Sequence, residues 1–167
     1  MLDAEALIKK HRAKGVFVDT NLFVLLLVGW VNVERIPKFN RTQSFTVDDF
    51  YLLQKLINWF GAPLIASPYV LSQVSDLTRL SGNELTIIRE LFKATVEAME
   101  ERYDSAKQLV QHSFFERFGL ADASVAAACQ ADVLVLTADL QLQVALGMAG
   151  RDALNFNHVR VLGWSFS

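Results

Sequence analysis

Three aspartates in this chain share one kind of position. Asp19 follows the short β-branched and aromatic run 16–18, Asp139 follows the VLVL run 133–136, and Asp122 opens an alanine-rich stretch. Each stands where a segment of helical composition begins. In an open parallel sheet, ligands bind in the crevice beyond the carboxyl ends of the strands. Helix N-termini in that crevice favour anions, whether carboxylate or phosphate. A capping role accounts for any one of these residues alone, because an aspartate oxygen satisfies an otherwise unpaired N–H. Three of them gathered from distant parts of the chain call for more. Clustered carboxylates repel and are costly to bury unless a cation neutralises them. Hard oxygen donors without His or Cys suit Mg²⁺ or Mn²⁺.

The elements that must position them are legible in outline. Short, wholly apolar strands are expected at 16–18, 63–66 and 133–136, with a final one at 159–162. Helices are expected at 2–14, 22–30, 46–60, 68–80, 84–99, 105–118, 122–131 and 140–148. Thr46 with Asp49 reads as a capping box, and Ser67–Pro68 as an N-cap followed by proline at the first helical position. Residues 32–45, with Pro37 among Arg35, Lys38 and Arg41, read as an exposed loop inserted between helices. Apolar strands alternating with helices imply a short central parallel sheet covered on both faces. The expected architecture is α/β: one three-layer α/β/α sandwich spanning 1–167.

Composition narrows the function classes. The 167 residues are 52% hydrophobic and 20% charged, which excludes disorder for most of the chain. A net charge of −2 excludes a basic coat protein for nucleic acid. Any polyanion must be met by a local patch or by held metal ions. Cys129 has no second cysteine to pair with and lies in an alanine-rich run, so it reads as packing in a reducing compartment. The most apolar run, 22–31, is half the roughly 20 residues a spanning helix needs. A non-membrane, cytoplasmic protein is expected.

VFVDTNLFV (16–24), SPYVLSQVSDL (67–77), GLADASVAAA (119–128) and VLVLTADLQL (133–142) together resemble the four motifs of PIN-domain ribonucleases. The resemblance runs from about Val16 to Leu162. It implies that Asp19, Asp122 and Asp139 are catalytic carboxylates holding Mg²⁺ or Mn²⁺ for cleavage of RNA phosphodiesters, with Asn21 and Thr137 orienting them. Such an ion lowers the pKa of a bound water and stabilises charge developing on phosphoryl oxygens. Small stand-alone members of that family include toxins of toxin–antitoxin pairs, which implies an antitoxin-like protein partner, and members often form homodimers.

One residue departs from the pattern. The second motif normally carries a glutamate where this chain has Gln73. An amide keeps a carbonyl oxygen but loses the charge. Three readings stay open: Asp76, one turn further along, supplies the missing carboxylate; one metal is held by three aspartates; or the module is catalytically weakened and binds RNA or a protein partner. Pairing with Arg79 or Arg89 is the plainer account of Asp76. Arg35, Lys38 and Arg41, with Phe39 and Phe45 nearby, are candidate contacts to RNA phosphates and bases; a solvated loop is the plainer account. His11, His112 and His158 have no metal-ligand spacing and read as ordinary surface residues. A phosphoacceptor or phosphatase would need a second carboxylate beside Asp19 and a lysine after a late strand, and neither occurs.

Overall fold

The computed structural model describes residues 3–163. Its frame is an all-parallel sheet of β1 (Gly15–Val18), β2 (Leu64–Ala66), β3 (Glu100–Glu101), β4 (Val133–Thr137) and β5 (Ala153–Asn155), ordered β3-β2-β1-β4-β5. Phe17 stands opposite Ile65 on one side of β1, and Val18 opposite Leu136 on the other. All of β4 and all of β1 after Gly15 are buried, as parallel strands covered on both faces must be. The helices that cover them are α1 (Ala4–Lys10), α2 (Thr20–Val31), α3 (Val47–Phe60), α4 (Pro68–Leu77), α5 (Asn83–Ala98), α6 (Ala106–Leu109), α7 (Phe115–Ala128), α8 (Leu140–Met148) and α9 (Phe156–Leu162). The architecture is the α/β/α sandwich expected from sequence.

Strand order explains where a ligand crevice must open. The chain moves outward from β1 to β2 and β3, then returns to the other side of β1 for β4 and β5. Order therefore reverses between β1 and β4, the topological switch point at which connections diverge and leave a crevice. Asp19 and Asp139 flank that point.

Local chemistry accounts for the elements beside it. Helix α2 carries no charge and is buried from Leu22 through Gly29. Gly29 lets α3 approach, since a Cβ there would lie 2.2 Å from Cδ2 of Phe50. The Thr46–Asp49 capping box opens α3, and Ser67 caps α4 ahead of Pro68.

Several expectations need correction. Residues 32–45 are not a solvated loop: a 3₁₀ turn (Val33–Arg35) leads into a segment in which Ile36, Thr42 and Phe45 are buried. Thr42 Oγ1 donates to the Ile36 carbonyl at 2.8 Å, which folds the segment on itself despite Pro37 and its basic residues. The run 159–162 is not a strand but part of α9, which Asn155 caps and Gly163 closes in the left-handed region. Its apolar–polar alternation imitates a strand period, while the real final strand has only three residues. The edge strand β3 is acidic and exposed and carries no strand signal. Helix 105–118 is broken: α6 is one turn, and α7 begins only at Phe115. The first helix is shorter than 2–14, and Leu2 lies outside the described residues. His11 is not a surface residue; it is fully buried, with Nε2 2.7 Å from Oδ2 of Asp152, the oxygen that also accepts from Lys10. Cys129 is buried as expected, and burial pushes its thiol pKa up, away from reactivity. Among the described residues no helix is long and apolar enough to cross a membrane.

Candidate functional site

The crevice at the switch point has a volume of about 410 Å³ and is lined by Asp19, Asn21, Gln73, Asp76, Asp122 and Asp139, with Thr20 and residues 118–121 among the rest. All three aspartates singled out from sequence thus face one space. So do Asn21, Gln73 and Asp76. Thr137 lies beneath, fully buried.

Asp19 leaves the end of β1 and is 6% exposed. Its backbone N–H pairs with the Leu136 carbonyl at 2.9 Å, which ties its position to β4. One carboxylate oxygen accepts the Thr20 N–H at 2.8 Å, and the other accepts the Thr137 hydroxyl at 2.7 Å. Burial raises its pKa, these two hydrogen bonds work against the rise, and the charge of Asp139 adds to it. Thr137 does double duty. Its oxygen also accepts the Asp139 N–H at 3.0 Å, so one hydroxyl fixes the ends of both strands. Asp139 in turn caps α8, Oδ1 accepting the Leu142 N–H at 3.0 Å.

Asp122 arrives differently. As expected, it stands in the opening turn of a helical segment, the part of α7 that restarts after a break at Gly119. Gly119 has φ 86° and ψ −176°, a region essentially restricted to glycine, so a fresh helical segment starts beside the crevice. Ser124 anchors that segment: its hydroxyl lies 2.6 Å from the Ser67 hydroxyl at the start of α4 and donates to the Ala121 carbonyl. The Asp122 carboxyl is pushed up to about 7, first by burial and then by the charges of Asp19 and Asp139. No cationic side chain is among the causes. Nor does any cationic side chain line the crevice.

This sets a sign for stability against pH. An unfolded aspartate titrates near 3.8 and folded Asp122 near 7, so the native state binds more protons between those values. The Asp122 contribution is fully present below the unfolded value and lost as pH rises through the folded one; Asp19 acts in the same direction. Metal-free protein is expected to unfold at lower urea concentration at pH 8 than at pH 5, and added Mn²⁺ should narrow the gap at pH 8.

The donor set is oxygen only, which fits Mg²⁺ or Mn²⁺. Among the described residues, however, no three His, Cys, Asp or Glu side chains close into a preformed cage. Mg²⁺ commonly keeps several waters and binds through one or two carboxylates plus phosphate oxygens, and each carboxylate oxygen here retains a lone pair beyond its hydrogen bond. An ion at this crevice would have to be held in that open manner, by one or two carboxylates together with waters.

The second motif is resolved in part. Gln73 Oε1 accepts the Thr20 hydroxyl at 3.0 Å, placing its carbonyl oxygen at the crevice rim. Asp76 also lines the crevice but is exposed and pairs with Arg79 at 3.4 Å. Of the basic residues expected to meet RNA, Arg35 and Lys38 line a separate small cleft, and Arg41 lines neither. Thr20 was not singled out from sequence; its place directly after Asp19, at the first turn of a helix, was the available signal. Ser67 and Ser124 were missed as a pair, and nothing in their spacing relates them. No protein-family model, no curated protein and no solved structure matches this chain.

Proposed function

We propose that this chain is a PIN-like, divalent-metal-dependent endoribonuclease that cleaves RNA phosphodiester bonds. The observation that carries the reading is the convergence of Asp19, Asp122 and Asp139 on one crevice of about 410 Å³ whose lining includes no cationic side chain. A site that concentrates negative charge at a cost to stability has a use for a cation. Asp19, Asp122 and Asp139 would hold Mg²⁺ or Mn²⁺, and the ion would stabilise the charge that develops on the phosphoryl oxygens. Thr137 and the Thr20 N–H orient Asp19, the Leu142 N–H orients Asp139, and Asn21, which also lines the crevice, would help orient the carboxylates. The motif resemblance extends the proposal to a toxin-type nuclease of the cytoplasm with an antitoxin-like partner or a homodimeric state.

The second reading is a catalytically weakened module that binds RNA or a protein, and Gln73 is the observation that favours it. Gln73→Glu separates the two. The introduced carboxylate can still accept from Thr20, so the fold should survive, while the added charge raises ion affinity. About tenfold tighter Mn²⁺ binding by calorimetry and faster cleavage of a labelled RNA are expected. Wild type that cleaves nothing in Mn²⁺ while the variant does would support the weakened module. An unchanged variant would show that position 73 does not face the ion.

A further inference from the structure

Beyond the crevice, α4 leads into a second cleft of about 190 Å³, lined by Arg35, Lys38, Arg79, Ser81, Phe39 and Glu84. The two are joined by the residues with which the chain leaves α4. Asp76 and Leu77 line the crevice, Arg79 and Leu80 line the cleft, and Asp76 and Arg79 are paired. Three cations meet here in a chain of net charge −2. Glu84 answers only one of them. It accepts from Nε of Arg35 at 2.8 Å and also from Nη2, which locks the guanidinium plane and leaves its Nη1 edge free. Among the described residues the Lys38 ammonium group has no ion-pair or hydrogen-bond partner, and the side chain of Arg79 is 70% exposed. Phe39 supplies an apolar wall, partly buried against the core.

We propose that this cleft, built from the 32–45 segment and the turn between α4 and α5, is a phosphate subsite for a single-stranded nucleic acid whose neighbouring phosphodiester lies in the carboxylate crevice. It rests on the nuclease reading for that neighbour, but its charges act without metal. The chemistry is complementary. A planar arginine fork and a lysine point charge are the usual partners of phosphate oxygens, the Ser81 hydroxyl is a further donor, and an aromatic wall accepts a base or ribose face. The carboxylate crevice by itself repels a polyanion; a cationic cleft just past the end of α4 holds the strand in place until an ion occupies the crevice. Asp76, between the two, keeps Arg79 turned along the path rather than serving as a metal ligand.

The test is fluorescence anisotropy of the full chain with a labelled oligouridylate in EDTA, across roughly 50 to 200 mM salt. Each phosphate contact adds about −0.7 to the slope of log affinity against log salt for single strands. The Lys38→Ala/Arg79→Ala double variant is expected to flatten the slope by about 1.4 and to weaken binding at least several-fold at the low-salt end. An unchanged slope overturns the proposal, as does the absence of any binding by wild type. Preference for an aspartate- and glutamate-rich peptide over the oligouridylate also overturns it, in favour of an acidic protein partner. A flattened slope in a protein that cuts no RNA in Mn²⁺ retains the subsite and removes the nuclease reading. Cleavage with an unaltered slope does the reverse.

Discussion

Asparagine in place of Asp122 is expected to make the metal-free protein more stable at pH 8 and to lower Mn²⁺-dependent RNA cleavage on the order of 100-fold. The two effects have one cause. Among the described residues Asp122 has no hydrogen bond or ion pair in its favour, and its carboxyl is held near 7 by burial, Asp19 and Asp139. Ionised at pH 8, it works against the fold. Asparagine keeps the shape and removes the charge. Discounted for partial exposure, the gain is about 1 kcal/mol, or roughly 2–4 °C in Tm for a chain of this size. At pH 5 the gain should shrink to less than half, and it should vanish only below the unfolded value near 3.8. Thermal melts of both proteins in EDTA at the two pH values check this. A variant that loses stability at pH 8 would mean that the Asp122 charge has a favourable partner.

Thr137→Val should act in the opposite sense on stability and the same sense on activity. Its hydroxyl donates to Asp19 at 2.7 Å and accepts from the Asp139 N–H at 3.0 Å. Valine fills the same volume and offers neither. A buried carboxylate then loses one of its two donors, and a backbone N–H loses its acceptor, for a cost of about 1–3 kcal/mol. Cleavage should fall roughly 10–100-fold, because the ends of β1 and β4 are no longer held to one another through a side chain. Thr137→Ser keeps the hydroxyl and should recover most of the activity. That recovery separates the hydrogen bonds from the packing of the methyl group, which serine lacks.

Much of this site was legible before the fold was known, for a physical reason. The strands that carry it are buried on both faces, so they read as continuous apolar runs, and the polar residue that ends each run is conspicuous. Asp19, Thr137 and Asp139 stand out on that ground alone. Asp122 was readable in its setting as well, because Gly119 interrupts the helical pattern and the alanine-rich segment that restarts after it carries the aspartate in its first turn. Other features were not readable because their signals were short or shared. Strand β5 has three residues and β3 two acidic ones, below any periodicity. The 159–162 segment alternates like a strand while its caps make it a helix. In 32–45 the charged residues face solvent as composition suggests, yet Ile36, Thr42 and Phe45 turn inward, and only the long-range fold decides that. The pairing of Arg35 with Glu84, 49 residues away, has no local signature at all.

Asp19, Asp122 and Asp139 are proposed to form a divalent-cation site. Isothermal titration of Mn²⁺ into wild type, Asp19→Asn and Asp139→Asn at pH 8 tests it most directly. Saturable binding in wild type that is lost in both variants, each still folded by circular dichroism, is the predicted result. No saturable binding to wild type, or equal binding to all three, would contradict the claim.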